Sequence, residues 1–502
     1  MAEVKIKTKE GIKKLRLFIV GGNRQPLLGR EWMRALNYDW IKILHGKQYT
    51  VDKIIESSNT QNGLKAILDE FPAVFLDTIG KIEGVKASLH SKNGANPTFL
   101  KARPLPFSIR DTMEEELKNM VDKGILVKVE RSEWATPIIP VRKTGKKVRL
   151  CGDYKLIINK GLLIDDFPLP TIDELFANMS EGKKFSKLDL AQAYLQMEIR
   201  EKDQHLLTLN THMGLYQPTR LMYGVASATA IFQREITSIL QGIPGVTVFL
   251  DDVKITAPND TEYLQRLREV LKRFNDHNMR VNLKKCEFLE DKIEYCGYMI
   301  DKKGIHKLQG KIDAIENMPR PENKEQVRAL LGLVNYYGRF MKNLSTHMYP
   351  INNLLKDEVA FERSPDCEKA FAWMKAEMQS KQALTHYDTK LPLILATDAS
   401  PYGVGAVLSH VYADGSENPI QYASQTLTKT QQIYTQIDKE AYAVIFGIKK
   451  FFKYLYGRKL ILVTDIKPLT QIWSPQKGLP TLSAMRMQHY AVFLESFNFE
   501  IL

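Results

Sequence analysis

At 502 residues the chain is too long for a single core, so three or more domains are expected. Hydrophobic residues make up 44%, which excludes a disordered chain, and a net charge of +13 points to a polyanionic partner, although a basic surface also serves solubility. Cys151, Cys286, Cys296 and Cys367 have no zinc-finger spacing and argue for a reducing compartment over a disulfide scaffold. No apolar run reaches signal-peptide or membrane-spanning length.

Residues 1–45 read as the end of another unit, with a strand at 15–21 and a turn at 25–30 entering the short helix EWMRAL. No Asp-Thr-Gly or Asp-Ser-Gly precedes them, so no aspartic-protease nucleophile site is present. From 46 to 106, Pro-, Ser-, Asn- and Gly-containing segments predict a loose linker holding one helix, GLKAILDEF. The spacing of Met113, Leu117, Met120 and Val121 predicts a helix over 110–123, stopped by Gly124. Strands at 138–142 and 148–153 are joined by Lys143-Thr144-Gly145-Lys146-Lys147, a cationic tip that is either a solvated turn or a clamp for phosphates. Thr171, with Glu174 three positions on, caps the helix TIDELFANM. Next comes FSKLDL, a short apolar strand ending on Asp189. In 220–240, Gly224, Ala226, Ser227, Ala228 and Ala230 make one face small, opposite Phe232, Ile236 and Leu240. Such a face suits close approach to a backbone or a base pair, and plain helix packing explains it nearly as well.

The stretch VTVFLDDV, 246–253, alternates with the period of a half-buried strand and resumes after its acids, so Asp251 and Asp252 sit where one strand turns into the next. Adjacent carboxylates in an apolar strand repel each other and resist desolvation unless a cation or proton compensates. A surface hairpin with an acidic tip is the plain alternative. An Asp on one strand and an Asp pair on a neighbouring hairpin, however, is the ligand set of a two-Mg²⁺ nucleotidyl-transfer site, one ion activating the attacking oxygen and one stabilising the leaving oxygen. An amphipathic helix over 261–278 and the strand-rich KCEFLEDKIEYCGYMI follow. A helix over 324–340 then places Val327, Leu330, Leu331 and Val334 on one stripe. From Leu391 an apolar strand reaches Asp398, and Asp414-Gly415 signals a hairpin turn. A helix over 435–455 points Ala441, Val444, Ile448 and Phe451 inward with Glu440 near its start, and the strand LILVT ends on Asp465. The chain therefore carries two acid clusters, both suited to Mg²⁺ phosphoryl chemistry.

RLCGDY (149–154), FPLPTIDEL (167–175), FSKLDLAQAYLQMEI (185–199), FLDD (249–252), KKCEF (284–288), YCGYMI (295–300), ATDAS–GVGAVL (396–408), YTQIDKEAYAV (434–444) and VTDIKPL (463–469) stand in one collinear order. In this the chain resembles the polymerase segment of a retrovirus-like Pol polyprotein, nearest the gypsy-type long-terminal-repeat retrotransposons. PLLGREWM resembles the tail of the element's protease, which implies that Met1 falls inside a polyprotein. The resemblance implies an α+β multidomain fold. A protease remnant (1–45) and a linker (46–106) precede right-hand polymerase fingers and palm (107–305), a thumb and connection (306–385), and an α/β RNase H-like domain (386–502) truncated at its C-terminus.

It further implies that Asp189, Asp251 and Asp252 are palm metal ligands, and that Arg149, with Lys143 or Arg142, grips the incoming triphosphate. Tyr194 matches the aromatic gate that excludes a 2′-hydroxyl, and is also explained as a core tyrosine. Tyr223 falls in the nucleotide pocket. Asp398, Glu440 and Asp465 match three RNase H acids. Two Mg²⁺ per site, with Mn²⁺ able to substitute, are the implied cofactors. RNA template, DNA primer, RNA–DNA hybrid and dNTPs are the partners, with no membrane. The implied location is intracellular: cytoplasmic virus-like particles, with the nucleus open. Phe249, Gly152, Met222, Thr229 and Ile466 depart from the family pattern, KLIINKG carries an extra residue, and the chain stops at FEIL before a fourth RNase H acid. Three readings follow: a reverse transcriptase with an incomplete RNase H; a decayed or co-opted fragment that only binds nucleic acid; and, disfavoured by the RNase H pattern, a cellular polymerase.

Overall fold

The computed structural model describes residues 2–8, 11–17, 51–142, 148–473 and 485–502. Of the N-terminal strand expected at 15–21, residues 15–17 belong to a strand, Gly11–Leu17, paired antiparallel with Ala2–Thr8, and 18–21 lie outside the described residues. Its partner strand, AEVKIKT, was missed although Ala2, Val4 and Ile6 alternate with charged residues at strand period. The turn and helix expected over 25–36 lie outside the described residues.

The stretch expected as a linker contributes to a shared core. Helix Val51–Glu70 runs beside helix Asp260–Asp276, where Arg268 grips Glu70 (2.7–3.1 Å) and Thr60 donates to Asp260 (2.6 Å). Ile67, Phe71, Val74, Ile82, Ala87 and Leu89 are buried in the same core as Leu188, Val253 and Ile255. Its loop-like composition misled because these apolar residues are widely spaced, and each is buried by a neighbour far away in the chain.

Helix Phe107–Asp122 buries Ile109, Met113, Leu117 and Met120, one stripe at helical spacing, against a five-stranded sheet. The sheet's order is Leu126–Val129, Gly214–Pro218, Leu209–Thr211, Thr136–Arg142, Val148–Gly152. The last two strands form the expected hairpin, with Ile138 opposite Gly152 and Arg142 opposite Val148. Its tip, 143–147, lies outside the described residues.

The sheet expected as the palm has four strands: β1 (Lys184–Asp189), β2 (Val246–Phe249), β3 (Asp252–Ala257) and β4 (Glu287–Glu290), in the order β2-β3-β1-β4. Helix α1 (Ala228–Leu240) and helix Asp260–Asp276 contribute Ile231, Phe232, Ile236, Tyr263, Leu267 and Phe274 to the core it shares. A three-stranded sheet from Lys292 to Lys307 and helices Lys324–Tyr336 and Pro365–Gln379 form a second core, in which Val327, Leu330, Leu331 and Val334 are buried as their spacing predicts.

The last unit is a five-stranded mixed sheet. Its strands are β5 (Leu393–Ala399), β6 (Gly403–Val411), β7 (Glu417–Thr426), β8 (Lys459–Thr464) and β9 (Asn498–Ile501), in the order β7-β6-β5-β8-β9. β5, β6 and β7 pair antiparallel, whereas β8 and β9 join in parallel. Parallel pairing needs a crossover, and helix α2 (Gln436–Lys450) supplies it. Thr435 caps α2, and Ala441, Val444, Ile448 and Phe451 are fully buried, as their spacing predicts. Among the described residues no helix is long and apolar enough to cross a membrane.

Candidate active sites

Three strands bring the first acid cluster together. β2 ends at Phe249, the chain reverses through Leu250 and Asp251, and Phe249 faces Asp252. β3 pairs with β1 so that Asp252 stands opposite Asp189, while the Leu190 amide donates to the Asp251 carbonyl at 3.4 Å. Asp189, Asp251 and Asp252 therefore meet at one end of the sheet.

The turn is held by a residue that the sequence did not single out. Leu250 has φ +60°, which a leucine adopts at a cost. Gln233, on α1 and 1% exposed, accepts from the Leu250 amide (2.8 Å) and donates to the Val248 carbonyl (3.0 Å). A buried polar residue on a helix otherwise facing the core is the only sequence signal it leaves. Gln233→Leu orphans two buried backbone groups, about 1–3 kcal/mol each. Its expected result is a lower unfolding midpoint and a loss of primer extension larger than the loss of primer–template binding.

The period of two puts Lys187 and Lys254 on the same face as the acids, opposite one another across β1 and β3. Lys254 Nζ lies 3.6 Å and Lys187 Nζ 3.9 Å from the Asp252 carboxylate, and Lys285 reaches both Asp189 oxygens at 3.3 and 3.4 Å. Lys254 is buried, its Nζ without a hydrogen bond but 5.2 Å above the Tyr295 ring. Burial pushes this ammonium below its usual range and the Asp252 charge opposes that. Among the described residues no three His, Cys, Asp or Glu side chains are drawn closely enough together to enclose an ion; lysine ammoniums offset the acids instead. The donor set itself, three carboxylates with hard oxygens at one sheet end, fits a divalent cation.

Beside the acids lies an aromatic floor. The Arg149 guanidinium sits 4.7 Å over the Tyr223 ring, Tyr223 is 5.2 Å from Tyr194, and Tyr194 meets Phe232 edge-on at 5.4 Å. Burial pushes the Tyr223 hydroxyl up to about 12; Arg149 opposes this and the nearby Asp251 adds to it. Lys143 lies outside the described residues, as does the side chain of Arg142. Two departures from the family pattern are accommodated here. Thr229 Oγ1 is 3.4 Å from the Tyr194 hydroxyl. A Cβ on Gly152 would come within 2.5 Å of the Tyr154 ring, which is fully buried and donates to the Leu207 carbonyl at 3.0 Å.

The second cluster follows from the mixed sheet. β5 and β8 are parallel with Thr397 beside Thr464, so the residues that follow stand at neighbouring positions: Asp398, still paired with Gly405 near the end of β5, and Asp465, just past the end of β8. α2 lays Glu440 against them. One Glu440 oxygen accepts from Gln436 (2.9 Å), and the other is buried without a partner. Burial pushes the Glu440 carboxyl up; the Gln436 hydrogen bond opposes this, and the charges of Asp398 and Asp465 add to it. An orphaned carboxylate oxygen within electrostatic reach of two further acids fits a cation by its donor chemistry, although the three are not drawn closely enough together to enclose one. Gln436 and Asn343, which donates to Asp398 at 2.8 Å, are further residues that the sequence did not reveal.

Residues 141–300 match the reverse transcriptase (RNA-dependent DNA polymerase) family, and residues 364–462 match the RNase H-like domain found in reverse transcriptase. The chain is 32% identical over 406 residues to the transposon Tf2-3 polyprotein of Schizosaccharomyces pombe, covering 79% of this chain and 30% of that protein. It is 31% identical over 413 residues to the retrovirus-related Pol polyprotein from transposon 412 of Drosophila melanogaster, covering 81% and 33%. The chain resembles the reverse transcriptase and RNase H segment of gypsy-type retrotransposon Pol polyproteins. It spans about a third of the length of the curated relatives it matches.

Its fold is that of the foamy viral protease-reverse transcriptase. The structure of that protein in complex with dsDNA matches with a TM-score of 0.78 at 20% identity, over 92% of this chain and 95% of that one. A second structure, a form titled dRH with ds DNA, matches with a TM-score of 0.78 at 20% identity, over 88% and 78%. The right-hand polymerase and RNase H-like architecture expected from the sequence is thus the architecture of this chain. Both matched families are divalent-metal dependent.

Proposed function

We propose that the chain is an RNA-directed DNA polymerase that copies retroelement RNA, with an RNase H-like domain acting on the RNA of hybrids. The observation that carries the first part is the meeting of Asp189, Asp251 and Asp252 at one sheet end, beside the Arg149–Tyr223–Tyr194 floor. We assign fingers and palm to 107–305, adding the packed segment from about Thr60, thumb and connection to 306–385, and the nuclease to 386–502.

Asp189, Asp251 and Asp252 would hold divalent ions in the palm, and Asp398, Glu440 and Asp465 in the nuclease. When bound, two Mg²⁺ per site, or Mn²⁺, would supply positive charge to the attacking and leaving oxygens. Arg149 is placed to neutralise and orient the triphosphate of a dNTP. Tyr223 stacks under that guanidinium and limits its swing, and Tyr194 presents its ring where the sugar would lie. Foamy viral relatives of this fold are seen with dsDNA and with RNA/DNA hybrid, which supports primer–template and hybrid as the partners here. An intracellular setting, the virus-like particle or the nucleus, is where such substrates occur.

Primer extension on poly(rA)/oligo(dT) with Mg²⁺ or Mn²⁺ tests the proposal. Incorporation of dTTP that needs the metal supports it, and binding of primer–template without extension leaves only a nucleic-acid-binding protein. Tyr194→Ala is expected to raise rNTP use relative to dNTP use by roughly tenfold or more, because a clash is removed while the acids stay in place. Single-nucleotide incorporation reads this ratio, and an unchanged ratio returns Tyr194 to core packing against Phe232.

A further inference from the structure

We propose that Asn343, which precedes the nuclease domain in the chain, is a positioning residue of the nuclease site and sets the Asp398 carboxylate for a divalent cation. The inference rests on the reading of Asp398 as a metal-binding acid given above.

Asn343 Nδ2 donates to one oxygen of Asp398 at 2.8 Å. Its backbone is left-handed, with φ 51° and ψ 35°, a conformation that asparagine tolerates better than most residues. The side chain lies directly on β6. Gly405 is the cross-strand partner of Asp398, and a Cβ there would collide with Asn343 Oδ1 and stand 3.0 Å from its Cγ. Gly403 gives similar room to the next residues: its Cβ would lie 2.5 Å from Ser345 Oγ and 3.1 Å from Thr346 Oγ1. The seat is pinned on both sides. The Ser345 amide donates to Ser424 Oγ on β7 at 3.0 Å, and Thr346 Oγ1 is 2.8 Å from Ser400 Oγ just beyond β5. Tyr349 stacks on Tyr402 at 4.2 Å. The glycines of the GVGAVL stretch thus serve to admit Asn343 to the acid.

A carboxylate turns freely about its Cβ–Cγ bond unless one oxygen is held. The amide takes one oxygen of Asp398 and leaves the other, with its lone pairs, toward the cluster that Glu440 and Asp465 complete. An amide is also neutral. Unlike the ammonium of Lys285 at Asp189, it orients the acid without cancelling the charge that attracts a cation. Groups that hold metal-binding carboxylates in this way raise metal affinity without touching the metal.

The test is Mn²⁺ binding to the full chain, followed by the EPR signal of free Mn²⁺, alongside the Mn²⁺ dependence of hybrid cleavage. Binding lost in Asp398→Asn defines the nuclease site. If that variant loses none, the reading of Asp398 fails and the inference falls with it. Asn343→Ala is expected to weaken the Asp398-dependent binding about tenfold and to shift the Mn²⁺ requirement for cleavage by the same factor, with the rate at saturating Mn²⁺ within about twofold. Asn343→Leu, which fills the same space without a donor, should do likewise at an unchanged unfolding midpoint. Unchanged binding in both variants overturns the proposal. Tighter binding or faster cleavage overturns it too, and shows that the amide blocks the site.

Discussion

Asp251→Asn, or Asp189→Asn, is expected to lower primer extension by at least about 10³-fold while primer–template affinity stays within about twofold. The asparagine keeps the size of the aspartate and its place in the sheet, so β1, β2 and β3 stay paired. What is lost is one formal charge in a cluster of three. Losing a ligand to the cation that would stabilise the developing negative charge costs several kcal/mol, and about 1.4 kcal/mol is a factor of ten. Binding, by contrast, is expected to come from phosphate contacts to the many lysines and arginines of a chain with net charge +13, and to weaken steeply with salt. Gel-shift titration at two salt concentrations and single-turnover extension separate the two effects. Extension near the wild-type rate in either variant would show that these acids are not the ligands.

Glu440→Gln should abolish hybrid cleavage, leave primer extension unchanged, and raise the unfolding midpoint in EDTA. The stability gain follows from the sign of the Glu440 shift. Its carboxyl is pushed up in the folded chain, chiefly by burial, so without metal the ionised form is disfavoured in the folded state relative to the unfolded one. That penalty is present at neutral pH and is relieved as pH falls through the raised value. Glutamine carries no charge and avoids it. The same shift sets a direction for metal binding: a proton competes with the cation for Glu440, so at subsaturating metal cleavage should fall on acidification from a higher pH than an ordinary glutamate would give. Calorimetry in EDTA with and without the substitution, and a pH profile of cleavage, are the measurements. An unfolding midpoint lowered by Glu440→Gln would contradict the burial argument.

The acids were legible because each interrupts a strong apolar period: Asp189 ends FSKLDL, Asp251 and Asp252 interrupt VTVFLDDV, and Asp398 and Asp465 end strands of the last unit. Helix stripes and caps were legible for the same local reason, as at Thr171, whose capping box forms with Glu174. The helix GLKAILDEF was legible from its spacing, whereas the burial of Val74, Ile82, Ala87 and Leu89 was not, because these residues have no regular spacing and are buried by residues far along the chain.

From local pattern alone, then, the sequence determined which residues are acids at strand ends, and through ordered motifs, the family that the chain resembles. Only the tertiary structure decided what faces them. Gln233 braces the turn through Leu250 and Asp251, Lys254 lies buried beside Asp252, and Asn343 reaches Asp398 from 55 positions away. Polar contacts between distant segments leave no period in the sequence. They depend on strand register and on glycines such as Gly405 that let one segment close onto another. Those are properties of the packed sheet rather than of any single strand.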